Sequence, residues 1–138
     1  MATSYETIYG RFLNSTTDFN LAEMDDYSLS QMLKAWLHSA IVRMRTSTVL
    51  VYDDENEAFE NDLNEQDIEL LSMGMRLAWL DQTLNSTELT LQFIGGKEEK
   101  YYSQANHINE LRALRADTLR EMQQIYTYGT YVNNDYFD

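Results

Sequence analysis

The sequence predicts an all-α fold, a small helical bundle of about four helices with an extended C-terminal arm. Its 138 residues include no Pro and only five Gly, which suits long helices and disfavours a β-sandwich with its many turns. Hydrophobic residues make up 43% of the chain, enough for one buried core. Apolar side chains also recur at helical spacing through most of its length.

The first two predicted helices begin at capping residues. Residues 4–13 predict a helix capped by Thr3 or Ser4. A second helix is expected to open at Ser28, because Gln31 stands three residues later in a capping-box pattern. The TSTVLVY segment that follows is β-branched and predicts a short strand or an extended link. The apolar stripe of the first helix contains Tyr5, Ile8, Tyr9, Phe12 and Leu13. The apolar stripe of the second helix contains Leu29, Met32, Leu33, Trp36, Leu37, Ala40, Ile41 and Met44.

The third and fourth helices are predicted farther along the chain. Asn64 and Asp67 start the third, which is expected to be buried on two sides because its apolar face is broad. The NST motif at 85–87 is expected to end it, and LTLQFI and a Gly95-Gly96 turn follow. The last helix is predicted from residue 98 or 103 to about 127, with an apolar seam. That seam contains Ile108, Leu111, Leu114, Met122 and Ile125.

Composition excludes several classes of function. Cysteine is absent, which rules out disulfides, thiolate zinc sites and cysteine nucleophiles. Apolar runs fall short of the ~20 residues of a membrane span and no signal-peptide pattern opens the chain, so we expect a soluble intracellular protein. The formal net charge of −13 repels phosphate, so DNA is expected to pass nearby without specific binding.

Two motifs suggest metal sites but lack essential ligands. His107 and Glu110 have the i, i+3 spacing of neighbours on a helix, but in the reverse of the Glu-x-x-His order that di-metal bundles use. The acidic stretch DDENEAFEND resembles a calcium loop, yet Ala58 and Asn64 stand where Gly and Glu are needed. We therefore predict no catalytic, metal or cofactor residues, a non-enzymatic protein, and a solvated acidic loop.

The C-terminal segment is rich in aromatic residues, which are frequent where proteins dock. Residues 1–127 are predicted to form one helical domain and residues 128–138 an acidic, aromatic arm. Either the segment covers its own core, or the arm orders against another subunit. Its aromatic side chains are Tyr126, Tyr128, Tyr131, Tyr136 and Phe137.

Three stretches together resemble one protein family. YETIYGRFL, FENDLNEQDIELLSMGMRLAWL and YYSQANHINELRAL are similar, in order and spacing, to segments of the short head-to-tail connector (adaptor, neck) proteins of tailed bacteriophages that infect Gram-positive hosts. The resemblance is weakest across residues 45–58 and in the tail. It implies a structural virion protein at the head-tail junction, assembled in the host cytoplasm.

The resemblance also implies partners. Copies would form a homo-oligomeric ring, twelve-fold by that resemblance, between the portal protein and the next neck or tail-completion protein, around the DNA channel. The arm would dock on the portal or a neighbouring subunit, and Asn106 and His107 would lie near a subunit boundary. No membrane would be involved.

The charges suggest how such a ring would close. A ring needs two different faces, and the acidic loop (Asp53, Asp54, Glu55) and the arginine side of the last helix (Arg112, Arg115) are candidates for opposite faces. The alternative function is an acidic regulatory or inhibitor protein that mimics nucleic acid and binds a basic partner. Such a mimic would carry evenly spaced rows of acids, whereas these acids concentrate in one loop.

Overall fold

A computed structural model describes four parts of the chain. The chain divides into two compact units, Met1–Ala78 and Trp79–Asp138. The helices are α1 (Tyr5–Asn14), α2 (Asp26–Arg43), α3 (Glu65–Ile94) and α4 (Glu98–Asn134), and the strands are β1 (Tyr52–Asp53) and β2 (Ala58–Phe59). Helices hold most of the described residues, which confirms the all-α class. The described residues are 3–16, 24–43, 50–94 and 98–134, without the side chains of 88–94, 98–104 and 127–134.

Helix α1 begins as predicted, with Ser4 as its cap. The Ser4 hydroxyl accepts a 3.2 Å hydrogen bond from the Glu6 amide. Thr3 instead joins the chain to later segments, since its carbonyl accepts from the Phe59 amide at 2.7 Å and its hydroxyl accepts from the Leu63 amide at 2.9 Å. Most of the predicted stripe is buried, but Leu13 is exposed.

The N-cap of helix α2 lies three residues earlier than the capping box predicted, at Asp25 and not at Ser28. The Asp25 carboxylate, not the Ser28 side chain, caps it by accepting a 3.3 Å hydrogen bond from the Ser28 amide. A carboxylate at a helix N-terminus also meets the positive end of the helix dipole, which favours this choice. The buried side of α2 consists of Leu33, Trp36, Leu37 and Ala40.

The two short strands form an antiparallel hairpin with Tyr52 opposite Phe59 and Asp53 opposite Ala58. Tyr52 closes the TSTVLVY segment, so the end of that segment is a strand; residues 44–49 lie outside the described part of the chain. Ser4 forms an isolated bridge with Ala58, so the N-terminus lies along the second strand. The hairpin is therefore anchored beside the start of α1.

Helix α3 starts where predicted and ends later. Asn64 caps it, because its side-chain oxygen accepts a 2.7 Å hydrogen bond from the Asp67 amide. The NST motif does not break it: the Thr87 hydroxyl donates to the Thr83 carbonyl at 2.8 Å and the helix continues to Ile94. Extending a helix costs less than nucleating a new one, so three polar residues do not end it. The predicted two-sided burial is confirmed by Ile68, Leu70, Leu71, Met73, Met75, Leu77, Trp79 and Leu80.

Helix α4 buries a single seam along its described side chains. Ile108, Leu111 and Met122 are buried as predicted, whereas Leu114 is 38% exposed. Thr118 takes its place, fully buried, because its hydroxyl donates to the Leu114 carbonyl at 2.8 Å and so leaves no unsatisfied polar group. The remaining described positions of α4 lie mostly at the surface.

The predicted extended arm requires a correction. Helix α4 passes residue 127 and ends at Asn134, so the backbone of 128–134 is helical. The segment contains no Pro, and its one glycine costs about 1 kcal/mol in a helix, which continued propagation tolerates. Residues 135–138 lie outside the described part of the chain.

Candidate functional site

Three elements of the first unit meet at the Asp54 carboxylate. Its Oδ1 accepts a 2.7 Å hydrogen bond from the Tyr5 hydroxyl of α1 and lies 2.8 Å from His38 Nε2 of α2. The His38 ring also lies 5.7 Å, centroid to centroid, from the Tyr52 ring of β1. We call Tyr5, His38, Tyr52 and Asp54 the hairpin junction.

Burial and hydrogen bonding fix the charge states of Asp54 and Tyr5. The Tyr5 hydroxyl, followed by the His38 ring, holds the pKa of Asp54 below its usual value. Burial and the hydrogen bond to Asp54 raise the pKa of the Tyr5 phenol. The carboxylate is therefore ionised and the phenol neutral at pH 7, which is the arrangement that their hydrogen bond requires.

The acidic loop between the strands is an ordered turn and not simply a solvated segment. The Asp53 carboxylate accepts from the amides of Glu55 and Asn56 and from the Asn56 side chain, at 3.0, 3.2 and 2.6 Å. Glu57 adopts a positive φ of 52°, and its carbonyl accepts a 2.9 Å hydrogen bond from the Tyr5 amide. Of the three predicted interface acids, Asp53 and Asp54 thus stabilise their own fold, and the Glu55 side chain is exposed.

The predicted interface residues on α4 also divide into two kinds. Asn106, His107 and Arg112 are exposed. Arg115 is half-buried, and its Nε donates a 2.7 Å hydrogen bond to Asp81 Oδ1 of α3, in the same unit. Arg115 therefore stabilises the second unit, whereas Asn106, His107 and Arg112 lie at its surface.

The residues of the predicted docking arm are described only in part. Tyr126 is half-buried near the end of the described side chains. Tyr128 and Tyr131 have helical backbone in α4. Tyr136 and Phe137 lie outside the described residues, so their role stays a prediction.

The hairpin junction was missed by sequence reasoning, which singled out His107 and not His38. Asp54 lies 16 residues after His38 and 49 residues after Tyr5, so no local spacing in the sequence reveals the cluster. The only sequence signal was an aromatic and acidic composition in three separate segments.

Neither a metal-binding cluster nor a membrane-spanning helix is found among the described residues. No group of three or more His, Asp or Glu in them is arranged to hold a metal ion. No helix among them is long and apolar enough to cross a membrane. Comparisons with protein families, with curated proteins and with solved structures found no match.

Proposed function

We propose that this chain is a structural subunit of a bacteriophage head-to-tail connector, forming a homo-oligomeric ring between the portal protein and the next neck or tail protein. The proposal rests first on the three family-like stretches. YETIYGRFL lies in α1, FENDLNEQDIELLSMGMRLAWL runs from β2 into α3, and YYSQANHINELRAL lies in the first part of α4.

The observation that carries the proposal is the one-sided burial of α4. The helix has 37 residues and is about 55 Å long. Between residues 105 and 126 this helix buries one seam and exposes its other sides. Its first part contains the family-like stretch YYSQANHINELRAL. A ring subunit must present surfaces beyond its own core to two neighbours, and a long helix buried on one side offers such a surface.

The charge distribution also supports a place around a DNA channel. The chain carries a net charge of −13, so a ring of copies would repel the DNA backbone and let it slide through.

The proposed ring contact needs different residues from those first expected. Glu55, Glu57, Glu60 and Asp62 are exposed around the hairpin, and they replace Asp53 and Asp54 as candidate acids. Of the two predicted arginines of α4, Arg112 is the exposed candidate. The proposed contact thus joins the exposed acids of one copy to the Arg112 side of the next.

The mass of native assemblies tests this function. We expect the purified chain to form rings, alone or with a phage portal protein, visible by native mass spectrometry and electron microscopy. Arg112→Glu should weaken assembly, whereas Arg120→Glu, in an exposed i, i+3 pair with Asp117, is the matched control. If both variants assemble equally well, the proposed charge contact between neighbouring copies is contradicted.

Truncation after Thr127 tests the arm separately. The truncated chain should retain its fold but lose portal binding in co-sedimentation. Portal binding equal to that of the full chain would contradict the docking role of residues 128–138.

The alternative is an acidic inhibitor that mimics nucleic acid, in which the exposed carboxylates around the hairpin would contact the basic partner. A chain that ignores portals but binds a basic protein in a salt-sensitive manner would establish that reading in place of the connector.

A further inference from the structure

Strand β1 forms the open edge of the hairpin. Strand β2 has a hydrogen-bonded neighbour on each side. The Phe59 amide donates to the Thr3 carbonyl at 2.7 Å, and the Glu60 amide donates to the Val51 carbonyl at 2.8 Å. Within the described parts of the chain, no other strand pairs with β1. The outer side of β1 is therefore an edge at which another strand can be added.

The backbone of Tyr52 points toward this open edge. In an antiparallel ladder, residue pairs that exchange hydrogen bonds alternate with pairs whose amides and carbonyls point away from one another. Val51 and Glu60 form a bonded pair, so the next pair, Tyr52 and Phe59, is of the second kind. The Phe59 amide agrees with this assignment, because it bonds to Thr3 on the other side. Tyr52 thus presents one donor and one acceptor to an added strand.

The side chains along this edge are apolar and exposed. Val51 is 46% exposed and Tyr52 is 51% exposed. The sequence carries no charge from Thr46 to Tyr52, and most residues of that run are β-branched. Natural proteins protect open edges with charged residues, proline or a covering segment, because an apolar edge pairs with other chains. The edge of β1 has the composition of a strand that a partner covers.

The two faces of the hairpin differ in chemistry at this edge. Side chains alternate along a strand, so Tyr52, whose ring lies 5.7 Å from the His38 ring, is on one face. Val51 and Asp53 are on the other face. Glu60 is exposed and lies opposite Val51, so its carboxylate shares that second face. The first face is therefore aromatic, and the second carries two acids.

We propose that the edge of β1 docks an extended segment of a partner protein in which basic and apolar residues alternate. The segment adds a strand to the hairpin through the outward backbone groups of Tyr52. Its basic side chains lie beside Asp53 and Glu60, and its apolar side chains lie beside the Tyr52 ring. A second copy of this chain is a poorer occupant, because each copy carries a net charge of −13. The inference does not rest on the connector role, since binding of a segment and assembly of a ring are measured separately.

Fluorescence anisotropy of a labelled peptide tests the docking on the full chain. The probe is a short peptide of alternating lysine and valine, which we expect to bind at low salt. The same peptide with glutamate in place of lysine should not bind, because it meets like charges. A fully N-methylated lysine–valine peptide keeps its charge but has no amide donors, and should bind more than about tenfold more weakly. Equal binding of the methylated and unmethylated peptides would show charge attraction without strand addition and would overturn the proposal.

Variants of the chain locate the docking site. Tyr52→Pro removes the outward amide donor and should weaken binding of the lysine–valine peptide by more than about tenfold, whereas Tyr52→Phe should bind normally. Glu60→Lys should weaken binding several-fold at low salt, and Glu110→Lys, at an exposed position of α4, is the matched control and should have no effect. Circular dichroism verifies that each variant is folded.

Three results would contradict docking at this edge. The first is no binding of the lysine–valine peptide to the unaltered chain. The second is equal binding to Glu60→Lys and Glu110→Lys. The third is a dimer in sedimentation velocity that Tyr52→Pro dissociates and the peptide does not, which would assign the edge to a second copy of the chain.

Discussion

The Tyr5 hydroxyl donates a 2.7 Å hydrogen bond to Asp54 Oδ1, which ties the first turn of α1 to the hairpin across 49 residues of sequence. The same oxygen lies 2.8 Å from His38 Nε2, so one atom joins α1, α2 and the hairpin. Tyr5 is fully buried, and its ring packs edge-on against Phe59 with centroids 5.2 Å apart. The contact therefore belongs to the core of the first unit.

Removing either partner of this bond should destabilise the chain by different amounts. Tyr5→Phe deletes one hydrogen bond and should lower the free energy of unfolding by about 1 kcal/mol. Asp54→Ala leaves the buried hydroxyl without its acceptor and should cost about 1–3 kcal/mol. Urea denaturation of the two single variants and of the double variant measures these losses in the free energy of unfolding. The loss in the double variant should be smaller than the sum of the two single losses, because the two residues contact one another. Glu55→Ala, at an exposed position, is the control and should change stability by less than about 0.5 kcal/mol.

The lowered pKa of Asp54 predicts an acid-sensitive contribution to stability. A carboxyl whose folded-state pKa lies below its unfolded value of about 3.9 stabilises the fold above that pH, and the contribution is lost as pH falls through the folded pKa. Asp54→Asn should thus be less stable than the parent at pH 7, and the difference should shrink as the pH falls below the unfolded pKa. The side chain is 38% exposed, so solvent screening keeps the difference below about 1 kcal/mol. A difference that stays constant with pH would contradict this assignment.

Arg11 connects α1 to α3 through two carboxylates. Its two terminal nitrogens donate to Glu65 and Glu69, at 2.5 and 3.2 Å, and these bonds, first that to Glu65, raise the pKa of the guanidinium. Arg11→Lys loses the forked geometry and should cost about 0.5 kcal/mol at low salt, a loss that shrinks in 1 M salt. Arg120→Lys, in a more exposed pair, is the control and should be near neutral.

Gly10 lies within α1, and a Cβ added there would meet nothing within 4 Å. Gly10→Ala should therefore stabilise the chain by up to about 1 kcal/mol, because alanine loses less conformational freedom in a helix. Thermal denaturation measures the gain. A lower melting temperature would show that the helix surface at this position is in fact occupied in the folded protein.

Glu57 holds a left-handed backbone conformation at φ 52°, which costs a non-glycine residue about 1–2 kcal/mol. Glu57→Gly should relieve that strain and stabilise the chain by about 0.5 kcal/mol after the added entropy of glycine. The same variant removes a negative charge near Tyr9, whose pKa is raised to about 12 by burial and then by Glu57. Spectrophotometric titration should therefore also detect a tyrosine that ionises at lower pH.

The helical architecture and most helix starts were predictable because they depend on local signals. The Ser4 and Asn64 caps and the apolar stripes act within one or two turns, and the structure confirms them. The N-cap of α2 was predicted three residues late, because Asp25 and Ser28 both suit an N-cap and the carboxylate prevails. The NST motif and the segment after residue 127 were predicted to leave the helix, yet helix propagation outweighs weak local breakers.

The sequence by itself determined the all-α class, the absence of cysteine chemistry and the acidic charge, since composition and periodicity act without reference to distant residues. Only the tertiary structure decided which charges are committed inside the chain and which face outward. Asp54 and Arg115 were predicted at an interface, but each is bonded within its own unit, to Tyr5 and to Asp81. These pairs span 49 and 34 residues, and such partners become neighbours only after helices pack, because no spacing along the chain encodes them.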